Sequence, residues 1–238
     1  MKIALLGYGK MGKAIEAIAV ERGHEICLKV DKENANSFNN EALALCEVAI
    51  EFSQPESAVD NINRCIEAGV PVVVGTTGWY HHYESVCETV KRSKTALLTA
   101  TNFSIGVNIF FALNRKLAQL MAGQKEYQAG MEEIHHLQKL DSPSGTAITL
   151  AEDLIDQHPQ YADWINKPSE DSRLLSIISE RKAGVPGTHS VRYESDIDYL
   201  EITHTAKSRK GFAMGALLAA EFIYQKEGVF QMKDLLNI

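Results

Sequence analysis

Over the first hundred residues, short apolar runs alternate with segments in which apolar residues recur every three or four positions. The apolar runs have the length of buried strands and cover residues 2–6, 25–30, 48–52, 70–74 and 95–99. The segments between them have the spacing of helices that bury one face, and cover residues 10–22, 57–68 and 83–93. Because strands and helices that alternate in this way form a parallel sheet covered on both faces, this part predicts a doubly wound α/β domain.

The pattern changes after residue 102. Long helices are predicted at residues 105–121 and 144–158. The strands of this part are separated by turns rather than by helices, and cover residues 127–136, 174–183, 188–194 and 197–205. Such a series is typical of an antiparallel or mixed sheet, so we expect a second, α+β domain. Residues 160–173 contain Pro168 and several charges and predict an exposed loop.

The last apolar helix, at residues 212–225, is expected to pack back against the first domain. The predicted domains are therefore a dinucleotide-binding domain of residues 1–103 with 212–238, and a substrate-binding and oligomerisation domain of residues 104–211.

Composition and charge exclude several classes of protein. The 45% hydrophobic and 23% charged residues are those of a globular chain, and a net charge of −7 without a Lys/Arg run argues against nucleic acid as a partner. No apolar run reaches the roughly 18 residues that span a bilayer, and the N-terminus begins with a strand pattern rather than a signal peptide. We expect a cytoplasmic protein without a membrane partner.

All four cysteines lie in apolar-periodic stretches of the first half of the chain, without a C-x-x-C pair, at Cys27, Cys46, Cys65 and Cys87. This arrangement disfavours a metal site built of thiolates. We interpret all four as thiols that fill the core.

The run Gly7-Tyr8-Gly9-Lys10-Met11-Gly12 has the pattern G-x-G-x-x-G and lies between a predicted strand and a predicted helix. Its glycines allow a tight turn and a close approach of the backbone to a pyrophosphate, which the positive end of the helix stabilises. Asp31 ends the second strand, about 20 residues further on, where a carboxylate accepts hydrogen bonds from the adenosine ribose. These features predict a Rossmann-type site for a nicotinamide dinucleotide.

The choice between NADH and NADPH stays open. Asp31 favours NADH because a carboxylate repels a 2′-phosphate, whereas Lys32 beside it can pair with one. A second glycine turn, Gly75-Thr76-Thr77-Gly78, ends the fourth strand, where open α/β sheets bind ligands. It is either a simple strand-to-helix turn or a site for the nicotinamide amide or a carboxylate.

The segment from His135 to Thr146 is predicted to hold an anion beside a proton donor. Ser144 is placed to cap the following helix, whose first N–H groups, at Gly145 and Thr146, suit a carboxylate. Lys139 adds a full positive charge, and His135 or His136 can deliver a proton near neutral pH.

A metal site at the adjacent histidines is disfavoured. His135 and His136 lack the H-E-x-x-H spacing, a strand would point their rings to opposite faces, and Lys139 would repel a cation. His189 is interpreted as an ordinary structural histidine.

Several segments together resemble the 4-hydroxy-tetrahydrodipicolinate reductase family, also called dihydrodipicolinate reductase, of the diaminopimelate and lysine pathway. They lie at residues 7–12, 75–78, 102–108, 135–147, 202–209 and 212–216. The most specific is His-His-x-x-Lys-x-Asp-x-Pro-Ser-Gly-Thr-Ala at residues 135–147. The resemblance covers nearly the whole chain and implies a reductase that uses NADH or NADPH, acts on a small cyclic dicarboxylate and forms homotetramers through the sheet of its second domain.

The resemblance also implies roles for single residues. His135 is the general acid and Lys139 the second catalytic group. The residues that hold the substrate's carboxylates are His136, Ser144, Gly145, Thr146 and, from the first domain, Thr77. The residues that bind the cofactor are Gly7, Gly9, Lys10, Met11, Gly12, Asp31, Gly75, Thr76, Thr77, Thr101, Asn102, Phe103 and Ser104. Gln54 stands where some members carry a basic residue, which weakens the expectation of a strong NADPH preference.

Two rival hypotheses remain at this point. Another dehydrogenase of amino-acid metabolism on the same plan, such as aspartate or diaminopimelate dehydrogenase, would not need an anion site joined to His-His-x-x-Lys. A non-catalytic protein that senses dinucleotides would not need two acid/base candidates beside that site. The working hypothesis is that hydride passes from the nicotinamide to the unsaturated ring while His135 or Lys139 supplies a proton.

Overall fold

The computed structural model describes residues 1–34 and 38–238. The chain divides into two compact units, of which unit 1 contains residues 1–105 with 209–238 and unit 2 contains residues 106–208. No helix among the described residues is long and apolar enough to cross a membrane.

Unit 1 is built on a six-stranded sheet in which all neighbouring strands are parallel. Its strands are β1 (Lys2–Leu6), β2 (Glu25–Val30), β3 (Val48–Glu51), β4 (Val72–Val74), β5 (Ala96–Thr99) and β11 (Gly228–Phe230), in the order β11-β5-β4-β3-β1-β2. The central strands are nearly continuous apolar runs because helices cover both faces of the sheet. The predicted doubly wound sheet is confirmed, with β11 added at one edge.

The helices of unit 1 bury their apolar stripes on the two faces of this sheet. They are α1 (Lys10–Glu21), α2 (Asn40–Ala44), α3 (Pro55–Glu67), α4 (Tyr83–Ser93), α7 (Lys210–Ile223) and α8 (Met232–Leu236). One face is covered by α1 and α7, and the other by α2, α3 and α4. The expectation that the last long helix packs on the first domain is confirmed. The short elements α2, β11 and α8 were not predicted, since three to five residues show little periodicity.

The interpretation of all four cysteines as free thiols is wrong for two of them. A disulfide joins Cys27, on β2, to Cys46, in the connection before β3, with their Cα atoms 6.1 Å apart. Only the path of the chain between the strands brings these two residues together. Cys65 is buried and Cys87 half-buried as free thiols, which agrees with the prediction for both.

Unit 2 is built on a mixed five-stranded sheet in the order β10-β9-β6-β8-β7. Its strands are β6 (Gln128–His135), β7 (Asp163–Ile165), β8 (Leu174–Arg181), β9 (Gly187–Glu194) and β10 (Tyr199–Ala206). The β6–β8 and β7–β8 pairs are parallel, and the β6–β9 and β9–β10 pairs are antiparallel. The prediction of a mixed sheet is therefore confirmed. The predicted exposed loop at residues 160–173 is wrong for Asp163–Ile165, which pairs with β8.

Two helices, α5 (Ile105–Met121) and α6 (Gly145–Gln157), contribute to the core of unit 2. Leu150 and Leu154 of α6 are fully buried with Ile177 of β8 and Val191 of β9. The peptide bond between Ser142 and Pro143, just before α6, is cis.

Candidate active site

Three strands of unit 2 carry polar residues on the same face as the apolar core, and only at one end of the sheet. On β6 the inward face changes from apolar at Met131 to polar at Glu133 and His135, all three of them buried. The register places Glu133 opposite both Ser179 of β8 and His189 of β9. Because side chains alternate along a strand, this register brings all of these polar groups together beneath the start of α6.

Glu133 lies at the centre of this polar cluster and is completely buried. Its carboxylate accepts hydrogen bonds from the backbone N–H of Ser144 at 3.1 Å and from the Ser179 hydroxyl at 2.8 Å. The Arg181 guanidinium lies 3.5 Å from the same carboxylate. These partners satisfy a buried charge that would otherwise be costly.

Two imidazoles complete the cluster. The Nε2 atom of His135 lies 3.4 Å from Glu133 Oε2 and 3.2 Å from Nε2 of His189. His189 Nε2 in turn lies 3.0 Å from the Ser144 hydroxyl and 3.6 Å from Glu133 Oε2. His135 therefore turns its Nε2 edge toward the buried groups.

The environment sets the charges of this cluster. Burial opposes ionisation of Glu133, but hydrogen bonds from His135, His189, Ser144 and Ser179 outweigh it and hold the pKa of the carboxyl well below its usual range. Burial lowers the pKa of His189, against a smaller opposing effect of its hydrogen bond with Glu133. The cluster thus pairs an ionised carboxylate with a His189 that favours its neutral form.

The first turn of α6 is capped as the sequence predicts. The Ser144 hydroxyl accepts a hydrogen bond from the backbone N–H of Ala147 at 3.2 Å. Gly145 and Thr146 form the first turn of this 13-residue helix, where the helix dipole concentrates partial positive charge. An added Cβ at Gly145 would meet no atom within 4 Å, so there is room for a ligand at this helix end.

Lys139 lies in the connection between β6 and α6, and its ammonium group pairs with both oxygens of Asp141 at 2.8 Å. Arg181 supports this connection through its hydrogen bonds to the carbonyl oxygens of Lys139 and Asp141, at 3.4 and 2.6 Å. His136 is half-buried at the start of the same connection, and its Nδ1 atom has no hydrogen-bond partner among the described residues. Unit 2 thus holds all of the residues between His135 and Thr146 that were predicted to act on the substrate.

Glu133, His135 and His189 also offer one oxygen and two nitrogens within 4.8 Å of one another, a grouping that the spacing of the sequence does not reveal. The guanidinium of Arg181 beside Glu133, and the hydrogen bonds from Ser144 and Ser179, already satisfy the carboxylate. We therefore interpret these three residues as members of a hydrogen-bonded cluster.

The glycines of the Gly7–Gly12 turn serve different purposes in unit 1. Gly7 has a φ of +101°, and an added Cβ would lie 2.1 Å from the Phe52 carbonyl oxygen. A Cβ at Gly12 would lie 2.5 Å from the Gly7 oxygen, whereas one at Gly9 would meet nothing within 4 Å. Gly7 and Gly12 are therefore needed for packing. Gly9, the N-cap of α1 without a side-chain cap, leaves the helix end open to an anion.

A cavity of about 640 Å³ begins at this open helix end. Asp31, Lys32 and the neutral Gln54 are among its lining residues. Asp31 is exposed, and its Oδ1 accepts hydrogen bonds from the backbone N–H groups of Glu33 and Asn34 at 2.9 and 3.3 Å. Lys10 and Met11 form the first turn of α1 beside the cavity. The residues around the N-terminus of α1 and its cavity fit a dinucleotide whose ribose reaches Asp31.

The second glycine turn and residues 101–104 also belong to unit 1. Thr76 is buried, and its hydroxyl accepts a hydrogen bond from the Ser53 N–H at 2.8 Å, while Thr77 is exposed. A Cβ at Gly75 would lie 2.2 Å from the Phe52 ring, so this glycine is needed for packing.

Residues 101–104 differ in their accessibility. Phe103 is buried with its ring 5.6 Å from that of Phe52, and Asn102 accepts a hydrogen bond from the N–H of Ser104. Thr101 is exposed. The side chains of Thr76 and Phe103 therefore serve the interior of unit 1, which leaves their backbones for any contact with a cofactor.

Sequence reasoning missed Arg181, and it interpreted His189 as an ordinary structural histidine without placing it beside His135. Both lie about 50 residues from His135 in sequence, and their registers with β6 were not predictable from spacing. The signal that could have placed His189 is the alternation along β9. Gly187, His189, Val191 and Tyr193 all lie on the inward face of this strand.

The comparisons with known proteins agree with this architecture. A family model described as "Dihydrodipicolinate reductase, N-terminus" matches residues 1–103, and one described as "Dihydrodipicolinate reductase, C-terminus" matches residues 106–236. Among curated relatives, 4-hydroxy-tetrahydrodipicolinate reductase of Christiangramia forsetii is 50% identical over 100% of this chain and 98% of its own length. The Thermosipho africanus enzyme of the same name is 33% identical over 100% of this chain and 98% of its own length.

Solved structures share the fold. A dipicolinate-bound dihydrodipicolinate reductase from Paenisporosarcina sp. TG-14 has a TM-score of 0.76 at 21% identity, covering 97% of each chain. An amine dehydrogenase from Mycobacterium smegmatis has a TM-score of 0.62 at 9% identity, covering 98% of this chain and 95% of its own. Likeness at such identities shows the fold alone. The two family models and the 50% identical relative cover the whole architecture, and they show that this chain belongs to the dihydrodipicolinate reductase family.

Proposed function

We propose that this chain reduces dihydrodipicolinate, formed from 4-hydroxy-tetrahydrodipicolinate, to tetrahydrodipicolinate with hydride from NADH or NADPH. Family membership makes the chain an oxidoreductase of lysine and diaminopimelate biosynthesis. The choice of cofactor and the division of roles among residues are part of the proposal.

The observation that carries the proposal is the position of His135 in unit 2. This imidazole lies within one buried cluster with Ser144, which caps the positive end of α6, and with Glu133, which accepts the Ser144 N–H. A proton donor and an anion-binding helix end are thus held by the same carboxylate. A cyclic dicarboxylate that must be protonated as it is reduced has the chemistry that such a site recognises.

Unit 1 holds the cofactor in this proposal. The open α1 end at Gly9 receives the pyrophosphate, with Lys10, Met11 and the packed glycines Gly7 and Gly12 around it, and Asp31 accepts the ribose hydroxyls. When bound, the nicotinamide supplies the hydride. We assign the positions beside the nicotinamide to Gly75, Thr76, Thr77, Thr101, Asn102, Phe103 and Ser104.

Unit 2 holds the substrate and moves the proton. Lys139 and the first turn of α6, at Gly145 and Thr146, neutralise the carboxylates, and Ser144 supports that turn as its cap. We also assign His136 and Thr77 to substrate binding. As hydride adds to the ring, His135 or Lys139 gives a proton to the carbon where negative charge builds up, which lowers the barrier.

We also propose that the enzyme is a cytoplasmic homotetramer that assembles through the sheet of unit 2. One face of this sheet borders a cavity of about 1030 Å³ that is lined in part by Ile197, and Tyr199 of the edge strand β10 is exposed. Apolar side chains on an otherwise polar face are a feature of protein interfaces. Light scattering after size exclusion is the direct test, and a monomer at micromolar concentration would contradict the tetramer.

The activity is tested by following NADH or NADPH absorbance with substrate generated from pyruvate and aspartate semialdehyde by the preceding synthase. We expect absorbance to fall with at least one cofactor, and only when the synthase is present. Absorbance loss with aspartate or diaminopimelate as substrate would instead indicate one of the rival dehydrogenases. Binding of dinucleotide without turnover of any of these substrates would favour a sensor.

A further inference from the structure

Behind His135 lies a pair of buried groups that the proposed reaction does not itself use. Glu133 is 0% exposed and His189 is 5% exposed, so neither group is accessible for proton exchange with a bound substrate. Both nevertheless lie within 3.4 Å of the same atom, Nε2 of His135. Their arrangement points to a role that is exerted on His135.

We propose that Glu133 and His189 are positioning residues that hold His135 with Nε2 turned inward, so that Nδ1 is the nitrogen that delivers the proton to the substrate. This inference rests on the proposed function of His135 as the acid. It assigns a role to Glu133 and His189, and it identifies the nitrogen of His135 from which the proton leaves.

Hydrogen-bond accounting supports this orientation. Glu133 Oε2 lies 3.4 Å from Nε2 of His135, and an ionised carboxylate only accepts hydrogen bonds, so this contact favours a proton on Nε2. Neutral His135 is therefore the Nε2–H tautomer. The imidazolium carries its second proton at Nδ1. In the reaction the Nδ1–H bond breaks, a C–H bond forms on the substrate, and His135 returns to the Nε2–H tautomer.

The other edge of the ring is kept clear by a glycine. An added Cβ at Gly187 would lie 2.8 Å from Cε1 and 3.1 Å from Nδ1 of His135. Gly187 starts β9, two residues before His189, so the same strand places the His189 ring at the Nε2 edge of His135 and no side chain at its Nδ1 edge. This asymmetry is what the proposed direction of proton delivery requires.

The charges around the cluster are compatible with a protonated His135. The groups that face it are Glu133 on its own strand, Arg181 on β8, His189 on β9, and Lys139 with Asp141 on the connection to α6. Arg181 and Lys139 are each close to a carboxylate, Glu133 and Asp141 respectively. Burial lowers the pKa of His189 and favours its neutral form, so a second imidazolium does not oppose the first.

Glu133 also connects the acid to the substrate-binding helix end. The Ser144 N–H contacts both carboxylate oxygens at 3.1 Å, and the Ser144 hydroxyl lies 3.0 Å from His189. A purely structural Glu133 would support only the helix end, and its loss would then weaken substrate binding. A positioning Glu133 also determines how readily His135 keeps its proton.

The kinetic test compares Glu133→Gln with Glu152→Gln, in which the same charge is lost from an exposed position of α6 in the same unit. For Glu133→Gln we expect kcat to fall about 10- to 100-fold, as for loss of a hydrogen bond to a charged group, with KM changed less than about threefold. The alkaline limb of the pH profile of kcat should move to lower pH, because without the carboxylate the His135 imidazolium loses its proton more readily. Glu133→Asp, which keeps the charge, should return the limb toward that of the wild type. Assays contain a chelator, so that metal bound at the cluster does not contribute.

An NMR experiment on the unligated protein tests the orientation without turnover. With 15N-labelled histidine we expect His135 to be the Nε2–H tautomer in wild-type protein, and to lose this preference in Glu133→Gln. If Glu133→Gln fails to fold, the His135 tautomer is measured in His189→Gln instead, where we expect the same loss of preference.

The outcomes are distinguishable. An Nδ1–H tautomer of His135 in the wild type, or a Glu133→Gln variant that raises KM while keeping kcat and its pH profile, would overturn the inference. Wild-type protein that turns over no substrate, but shows the Nε2–H tautomer and its loss in the variant, would contradict the proposed function and leave the orientation of His135 supported.

Discussion

The N-termini of α1 and α6 are both proposed to bind anions, and they are built in different ways. At α1 the N-cap is Gly9, which has no side chain to cap the helix and leaves open space beside it. At α6 the N-cap is Ser144, whose hydroxyl caps the helix and whose N–H is held by the buried Glu133. Backbone groups alone form the first end, whereas buried side chains support the second.

This difference corresponds to the chemistry proposed for each end. A pyrophosphate needs only N–H donors, positive potential and space, which a glycine turn provides without any titratable group. A substrate that must be protonated needs a donor held in one orientation, and orientation requires side chains that are themselves fixed. The cost is a buried charge, which Ser144, Ser179 and Arg181 stabilise.

The largest expected effect comes from replacing His135, the proposed acid near the N-terminus of α6. For His135→Gln we expect kcat to fall by about 10²- to 10⁴-fold, the usual contribution of general acid–base catalysis, while KM changes little. Cofactor affinity, measured by fluorescence titration, should equal that of the wild type, because unit 1 is unaltered. An unchanged kcat would remove His135 from the chemistry.

Removing the charge of Lys139 should affect both binding and turnover. We expect Lys139→Ala to lower kcat/KM about 10- to 100-fold, which corresponds to the loss of a charge-assisted hydrogen bond to a substrate carboxylate. Lys125→Ala, at an exposed position in the turn after α5, is the control and should behave as the wild type. Wild-type kinetics for Lys139→Ala would exclude this residue from the site.

A pair of variants tests the difference between the two caps directly. Gly9→Ala adds a Cβ to open space, so we expect an unchanged Tm and about tenfold weaker cofactor binding, as the Cβ competes with the pyrophosphate. Ser144→Ala removes a side-chain cap and should destabilise the protein by about 1 kcal/mol. A Gly9→Ala variant that is destabilised and still binds cofactor normally would reverse the proposed roles of the two ends.

The smallest expected effect is on pH-dependent stability. The pKa values of Glu133 and His189 are both lower in the folded protein, so each contributes stability that is lost as the pH falls, from about 6.5 downward for the histidine. In unit 1 burial raises the pKa of Glu51. The stability that Glu51 contributes is therefore lost as the pH rises above the pKa that this carboxyl has in the unfolded chain.

Thermal unfolding between pH 4.5 and 7.5 checks these signs. We expect His189→Gln to lose less stability than the wild type on acidification, by at most about 1.4 kcal/mol per pH unit. Glu51→Gln should lose more than the wild type over the same range. A His189→Gln variant with the wild-type pH slope would show that this histidine titrates alike in the folded and unfolded states.

Long periodic elements of this fold were predictable from sequence because burial imposes a period on many residues at once. The bounds of α4 and α5 were predicted at the residues where the structure has them. Short elements were not predictable, since α2 and β11 contain five and three residues and their formation depends on neighbours distant in sequence. The disulfide between Cys27 and Cys46 was missed for the same reason.

The sequence by itself determined the local parts of both sites. The glycine turn before α1 and the Ser144 cap of α6 are each encoded within about six residues, because a turn or a cap depends on the φ range and side chains of a few neighbours. Only the tertiary structure decided what supports His135. Glu133 meets His189 and Arg181 through the register of three strands, and register is a property of the whole sheet that residue spacing along one chain segment does not specify.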